Sequence, residues 1–297
     1  MAAHAPPPST ETDDEDAATA RGFGDALHEL VNTLRFGARA RLGVRRGPPA
    51  LADEPKDTLF DYLDAAGARR ADARERELRG RYELERLRTA STRLDYRENL
   101  YVLEALERAL EGGRAPRRAD GPLRVVDVGS KNFAYAFALE RYFRRASGGP
   151  PKLLGVEVDG HVVYRDWRAR CDYAEAYARQ TGNEQVRYRV ADFCALEAAE
   201  PFDVVTMFFP FVTRHALVRW GLPARFFAPA RLFAKAAALC PSGPVVIASH
   251  TEEERDEAVR LARKVGLEVE VTRPLRSPLV HYHALADDRF VTRLVSR

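Results

Sequence analysis

Residues 123–129 read LRVVDVG, an apolar, β-branched run that ends in an acid and a glycine. A run of this length and composition, closed by a turn former, fits a strand buried on both faces of a sheet. The same texture recurs downstream, with helices between the runs. Residues 134–145 have helical spacing. KLLGVEVD (152–159) is a second strand and 161–181 a helix. VRYRVAD (186–192) and FDVVTMFF (202–209) are the third and fourth strands, and 224–239 a helix. PVVIASH (244–250) is the fifth strand and 251–265 a helix, which Thr251 and Glu254 open as a capping box. GLEVEVTR (266–273) and RFVTRLVS (289–296) close the chain with no helix between them. Five strand–helix alternations predict an α/β fold, a mostly parallel sheet with helices on both faces. The last two strands predict an antiparallel end pair.

Upstream of residue 120 the signals are helical. Residues 1–20 hold five acids and no base, and predict a disordered acidic tail. From 22 to 44, Phe23, Leu27, Leu30, Val31, Leu34 and Ala38 fall at helical spacing, with Arg35, Arg39, Arg41, Arg45 and Arg46 late in the segment. Such a helix either packs on its own domain or lies on a membrane surface. Gly47-Pro48-Pro49 breaks the chain. Residues 57–66 and 70–111 again have helical spacing, with Leu100, Leu103, Leu106 and Leu110 in one stripe and Gly112-Gly113 as a stop. The expected organisation is a tail over 1–20, a helical N-terminal extension over 21–119, and a sheet domain over 120–297.

Composition removes several classes. No apolar run reaches the roughly 18 residues of a membrane span, so no stable membrane insertion is expected. The first 20 residues lack the features of a secretory or transit peptide. Cys171, Cys194 and Cys240 have no CxxC spacing, which fits a reducing, cytoplasmic setting rather than a disulfide scaffold or zinc ribbon. The net charge of +3 hides a tail of −5 and a remainder with 47 bases against 39 acids. Oligomeric state is not readable.

In an open parallel sheet, ligands bind beyond the carboxyl ends of the strands. After strand 1 stands Asp127-Val128-Gly129-Ser130-Lys131-Asn132-Phe133, in which Lys131 and Phe133 occupy places where a dinucleotide motif has glycines. Strand 2 ends in Glu157, with Asp159 two residues on. Strand 3 ends in Asp192-Phe193. An acid at the second strand end can accept from ribose hydroxyls, and one at the third from an adenine amino group beside an aromatic ring.

VVDVGSKNFAYA, LLGVEVDG, VRYRVADF, FDVVTMFFPF and the final strand pair resemble the ordered motifs of the class I S-adenosylmethionine-dependent methyltransferases, across about residues 120–297. The resemblance implies a seven-stranded Rossmann-like sheet with an antiparallel C-terminal strand, and S-adenosyl-L-methionine as cofactor. It implies that Asp127, Gly129 and Ser130 lie at the methionine part of the cofactor. Glu157 would hold the ribose, with Asp159 as the rival if strand 2 ends later, and Asp192 with Phe193 the adenine. Lys131 either pairs with the cofactor carboxylate or crowds that space.

The segment after strand 4, Met207 to His215, should face the methyl acceptor. It resembles the [DN]PP[FY] motif of amino-group methyltransferases, but Phe208 stands where the polar residue would be. Its phenylalanines are either core or an aromatic wall for a flat acceptor. His215 is the first candidate for a catalytic base and His250 the second. Tyr96, Arg97 and Tyr101 either reach the site or pack on the sheet. His281 and His283 share a strand face without a third ligand, so no metal site is expected. The expected function is methyl transfer to an unidentified acceptor, more readily a small molecule than RNA. The competing readings are an RNA methyltransferase, from the Arg-rich N-terminal helices, and a catalytically silent binding protein, from the degraded glycine motif.

Overall fold

The computed structural model describes residues 11–112, 118, 120–279 and 289–296, with side chains from residue 26 onward. Seven strands form one sheet: β1 (Arg124–Val128), β2 (Lys152–Glu157), β3 (Val186–Val190), β4 (Val204–Phe208), β5 (Val245–Ser249), β6 (Leu267–Pro274) and β7 (Phe290–Ser296). Their order is β3-β2-β1-β4-β5-β7-β6. The first five are parallel, and β7 runs antiparallel between β5 and β6. The expected antiparallel pair is therefore present, with the last strand inside the sheet and the sixth at its edge.

Alternation along the strands sorts two cores. Val125, Val204, Val246 and Ala248 face one side, packed with Leu100, Tyr101 and Leu103 of α4 (Arg93–Leu110) and Phe137 of α5 (Ala136–Ser147). Ala174 and Ala178 of α6 (Arg170–Gln180) join that side. Val126, Val205, Val245 and Ile247 face the other, against Phe233 of α8 (Pro229–Leu239) and Leu261 of α9 (Glu252–Arg263). Leu78 of α2 (Ala65–Tyr82) and Leu87 of α3 (Glu85–Thr89) extend the first core, so the upstream helices share the hydrophobic interior of the sheet. Asn99 of α4 binds this layer to α5. Its amide donates to Ala134 O at 2.9 Å and accepts from Ala138 N at 2.9 Å, which satisfies one of the helix's orphan N-terminal donors.

Several boundaries differ from expectation. The first helix, α1, spans Glu11–Leu42, so it begins inside the segment expected to be a disordered tail. Residues 1–10 lie outside the described residues. The expected helix over 57–66 is a series of turns and a bend over 57–63, and helix begins only with α2 at Ala65. The long helix over 70–111 breaks into α2, α3 and α4 at Glu83, whose φ is 54°, and at Thr92, whose side chain caps α4. The helix over 161–181 shortens to α6, because 161–169 folds back on itself in a Val163–Ala169 bridge. A helix absent from the expectation, α7 (Arg214–Trp220), follows β4.

Candidate active site

The carboxyl ends of β1 to β4 floor a cleft of about 200 Å3, at the place where β1 stands between β2 and β4 and the strand order reverses. Gly129 and Lys131, Glu157, and Asp192 with Phe193 line it from three successive strand ends, and Phe209, Phe211 and Trp220 wall its other side.

Glu157 is 5% exposed. Its Oε2 accepts the Lys131 backbone N–H at 3.0 Å and its Oε1 the Asp159 N–H at 2.9 Å. Arg170 Nη1 lies 3.8 Å from Oε1. Burial pushes this carboxyl above the usual glutamate range, against the opposing pull of Arg170 and the two N–H groups. An ionised carboxylate has about four lone-pair sites, so two backbone bonds leave accepting capacity on a side chain that lines the cleft. Asp192 Oδ1 accepts the Cys194 N–H at 2.9 Å and caps the short 3-10 turn Phe193–Ala195. It is both a cap and a cleft residue.

Asp127 and Ser130 do not line the cleft. Asp127 is fully buried, accepting from Tyr135 Oη at 2.9 Å and Thr206 Oγ1 at 2.7 Å, so it ties β1 to β4 and to the start of α5. Burial pushes its carboxyl up to about 6. Ser130 Oγ donates to Asp127 O and accepts from Val156 N, stapling the loop to β2. Both act under the floor rather than on its surface.

The loop after β1 places Gly129, Lys131 and Phe133 at φ of 76°, 50° and 61°. Left-handed backbone costs a non-glycine residue about 1–2 kcal/mol. The loop thus keeps the course that glycines would take, with side chains added. The Phe133 ring is fully buried, and a Cβ on Gly155 of β2 would sit 3.0 Å from its Cε1 and Cζ and from Ser130 Oγ. A glycine on the strand makes room for the phenylalanine on the loop.

The phenylalanines after β4 divide. Phe208 is core, 7% exposed, with its ring 5.4 Å from that of Tyr135. Phe209 stacks on His250 at 3.9 Å and 10°. Phe211 is 6.1 Å from Trp220. His250 lines the cleft, and its buried Nδ1 has no hydrogen-bond partner among the described residues. Burial, then the charges of Arg289 and Lys131, push it down to about 4, so it is neutral at pH 7.

His215, the first candidate for a base, is exposed and does not line the cleft. At 100° per residue, Leu217 and Trp220 of α7 turn toward the cleft and carry residue 215 to the opposite side. The rival ribose ligand Asp159 is also absent from the lining: it is 3% exposed and paired with Arg39 Nη2 at 2.8 Å. Tyr96 is fully buried, donating to Glu75 at 2.6 Å, and Arg97 lies over Tyr62. Tyr101 reaches the back of the wall, 6.4 Å from Phe209.

α1 roofs the site. Asn32 donates to Val218 O and Leu222 O, Glu29 accepts the Ala224 N–H, and Phe36 packs on Phe226 at 4.8 Å. Lys131 Nζ lies 5.3 Å from the centre of the Trp220 ring at the cleft mouth.

Strand order, the antiparallel seventh strand and acids at the second and third strand ends of one cleft agree with the arrangement that the sequence resemblance implies. The sheet is the seven-stranded, mostly parallel Rossmann-like sheet that the resemblance implies, with its seventh strand antiparallel. No protein-family model matches the chain, and no curated protein matches it. Among solved structures it is similar to the magnesium protoporphyrin IX methyltransferase of Synechocystis PCC 6803 with bound S-adenosylmethionine, at 12% identity over 83% of this chain and 99% of that one, with a TM-score of 0.45. It is similar to a ribosomal protein L11 methylase of Lactobacillus delbrueckii subsp. bulgaricus, at 12% identity over 68% and 79%, with a TM-score of 0.43. It is similar to a TehB-like S-adenosylmethionine-dependent methyltransferase of Corynebacterium glutamicum, at 15% identity over 60% and 83%, with a TM-score of 0.39.

In this fold α7 is the part sequence reasoning missed. Thr213 makes no side-chain capping bond, and only Leu217 of the helix is buried, so neither a cap nor an apolar stripe announced it. Among the described residues no helix is long and apolar enough to cross a membrane, and no cluster of three metal-ligating side chains occurs. His281 and His283 lie outside the described residues.

Proposed function

We propose that the cleft binds S-adenosyl-L-methionine and that the protein transfers its methyl group to a small-molecule acceptor. The observation that carries this reading is the convergence of Glu157 and Asp192, from consecutive strand ends, on one cleft whose third edge is the open backbone of Gly129. A Cβ at Gly129 would meet nothing within 4 Å, so the backbone is approachable. In this reading Glu157 accepts from the ribose hydroxyls, Asp192 from the adenine amino group, and Phe193 packs on the ring. Lys131, on the rim, offers a cation to the cofactor carboxylate. Bound there, the cofactor supplies a methyl group already activated by its sulfonium.

The chain's task is then positioning, which alone can lower a barrier by about 7–11 kcal/mol. Phe209, Phe211 and Trp220 exclude water and offer a flat apolar wall. His250 replaces His215 as the polar group on the acceptor side. Held neutral, it accepts a hydrogen bond from an acceptor N–H or O–H and so orients the lone pair that receives the methyl group.

A small acceptor is favoured over RNA by where the arginines go. Arg74 binds Glu77, Glu104 and Glu107; Arg79 binds Glu75 and Glu85; Arg81 binds Glu77 and Glu107. Three of the six arginines of α2 are thus spent on carboxylates within the protein, which leaves only Arg69, Arg70 and Arg76 of this helix facing water as cations for phosphate. Thermal melting with S-adenosylhomocysteine tests cofactor binding. At about 100 times its Kd the ligand should stabilise the fold by about 2.7 kcal/mol. No shift at millimolar ligand would make this a silent protein on a methyltransferase fold.

A further inference from the structure

α1 is attached by the wrong face for an amphipathic helix. Its contacts with the body are made by Glu29, Asn32, Phe36 and Arg39. Its leucines point away: Leu27 is 51% exposed, Leu30 55% and Leu34 64%. Among the described residues these are three of the eight exposed large hydrophobics, and the three that share one helix face; single scattered leucines would need no explanation whereas a continuous stripe does. The steps between them, three and four residues, are those of a coiled-coil seam. In sequence the same spacing runs back to Phe23 and Ala20 and on to Gly37 and Arg41.

We propose that this stripe is the contact surface for a second copy of the chain, with the two α1 helices packed antiparallel. Charge selects the occupant and the direction. By sequence, the first part of α1 carries Glu11, Asp13, Asp14, Glu15 and Asp16, and the last part with its continuation carries Arg35, Arg41 and Arg46, all three exposed. A parallel pair would set like against like. An antiparallel pair sets the acidic end of each helix beside the basic end of the other. Seam positions then coincide in one register: Leu27 opposite the partner's Leu30, position 23 opposite the partner's Leu34, and position 16 opposite the partner's Arg41. An anionic membrane fits less well, because the acidic third of the same helix would be repelled from it. The pairing also bears on the cleft. The inner face of α1 holds the residues around Trp220, Leu222 and Phe226, so stiffening α1 from outside steadies the cleft wall.

The test uses the full chain. Light scattering after size exclusion should give twice the monomer mass for the wild type across the micromolar range, and the monomer mass of 33.3 kDa for Leu30→Glu, with a cooperative melt and unchanged circular dichroism because the site is exposed in the monomer. Oxidation tests direction. Phe23→Cys and Leu34→Cys chains should cross-link when mixed and neither should cross-link alone; in a parallel pair each would cross-link with itself. A wild type that stays monomeric at all concentrations overturns the proposal. So does a monomer that floats with phosphatidylglycerol vesicles and loses that binding in Leu30→Glu, which would assign the stripe to lipid.

Discussion

Gly155→Ala tests whether the phenylalanine of the β1 loop and the glycine of β2 form one packed unit. The added methyl would lie 3.0 Å from Phe133 Cε1 and Cζ and 3.0 Å from Ser130 Oγ. These are far inside carbon–carbon contact distance. Phe133 has no room to retreat: it is fully buried, with Tyr135 and Tyr188 at 6.2 and 6.1 Å, and its backbone is already left-handed at φ 61°. Ser130 is held by two hydrogen bonds. Overpacking of this kind costs about 1–3 kcal/mol. For a chain somewhat larger than 150–250 residues, each kcal/mol lowers Tm by about 2–4 °C or slightly less. The assay is a double-mutant cycle by thermal or urea melting, with Phe133→Leu as the second change. Leucine withdraws the ring atoms that the new methyl would strike. Gly155→Ala should therefore cost clearly less in the Phe133→Leu background, with a coupling of about 0.5–3 kcal/mol. An equal cost in both backgrounds would refute the pairing, and no cost in the wild type would refute the close approach itself.

Three further outcomes follow from the same geometry. At Lys131, φ is 50°, so Lys131→Gly should melt above Lys131→Ala by about 1 kcal/mol; equal melting would mean the backbone relaxes. Asp127 has a folded value of about 6 against 3.8 for the free side chain. The folded state therefore holds the extra proton between those values. The stability it contributes is complete below about pH 4 and is lost as the pH rises through 6. Asp127→Asn should remove that slope from wild-type-minus-variant melts between pH 4 and 7, and an unchanged slope would place the titration elsewhere. Arg39→Ala leaves Asp159, only 3% exposed, without its ion-pair partner. It should cost about 1–3 kcal/mol and open α1 to trypsin, which limited proteolysis would detect; full protection would mean the pair does not hold the roof.

The sheet was legible because buried parallel strands are written as apolar runs, β3 excepted, where VRYRV alternates with exposed arginines, and each segment from LRVVDVG to PVVIASH lies within two residues of its observed strand. Spacing placed the acids as well: Glu157 and Asp192 stand where the strand ends put them. Burial was not legible. Nothing in VVDVGSKNF separates Gly129 and Lys131, which line the cleft, from Asp127 and Ser130, which are buried beneath it. That division depends on Thr206 and Tyr135, which the fold brings to Asp127 from β4 and the start of α5. His215 was misplaced because α7 was unseen, and one short helix rotates residue 215 away from the cleft while β5 carries His250 into it. The Arg-rich segments were ambiguous in sequence because charge counts do not say which carboxylates lie beside which guanidinium groups. Arg39 and Arg45 illustrate this, reaching Asp159 and Asp172 about 120 residues away.

The central claim is that Glu157 holds a cofactor in the cleft between β1 and β4. Calorimetric titration of S-adenosylhomocysteine into wild type and Glu157→Ala addresses it directly. The wild type should bind, and the variant, which leaves ligand hydroxyls unpaired, should lose about 1–3 kcal/mol of binding, roughly a fivefold to 150-fold rise in Kd. Equal affinity for the two proteins, with both still folded, would contradict the account.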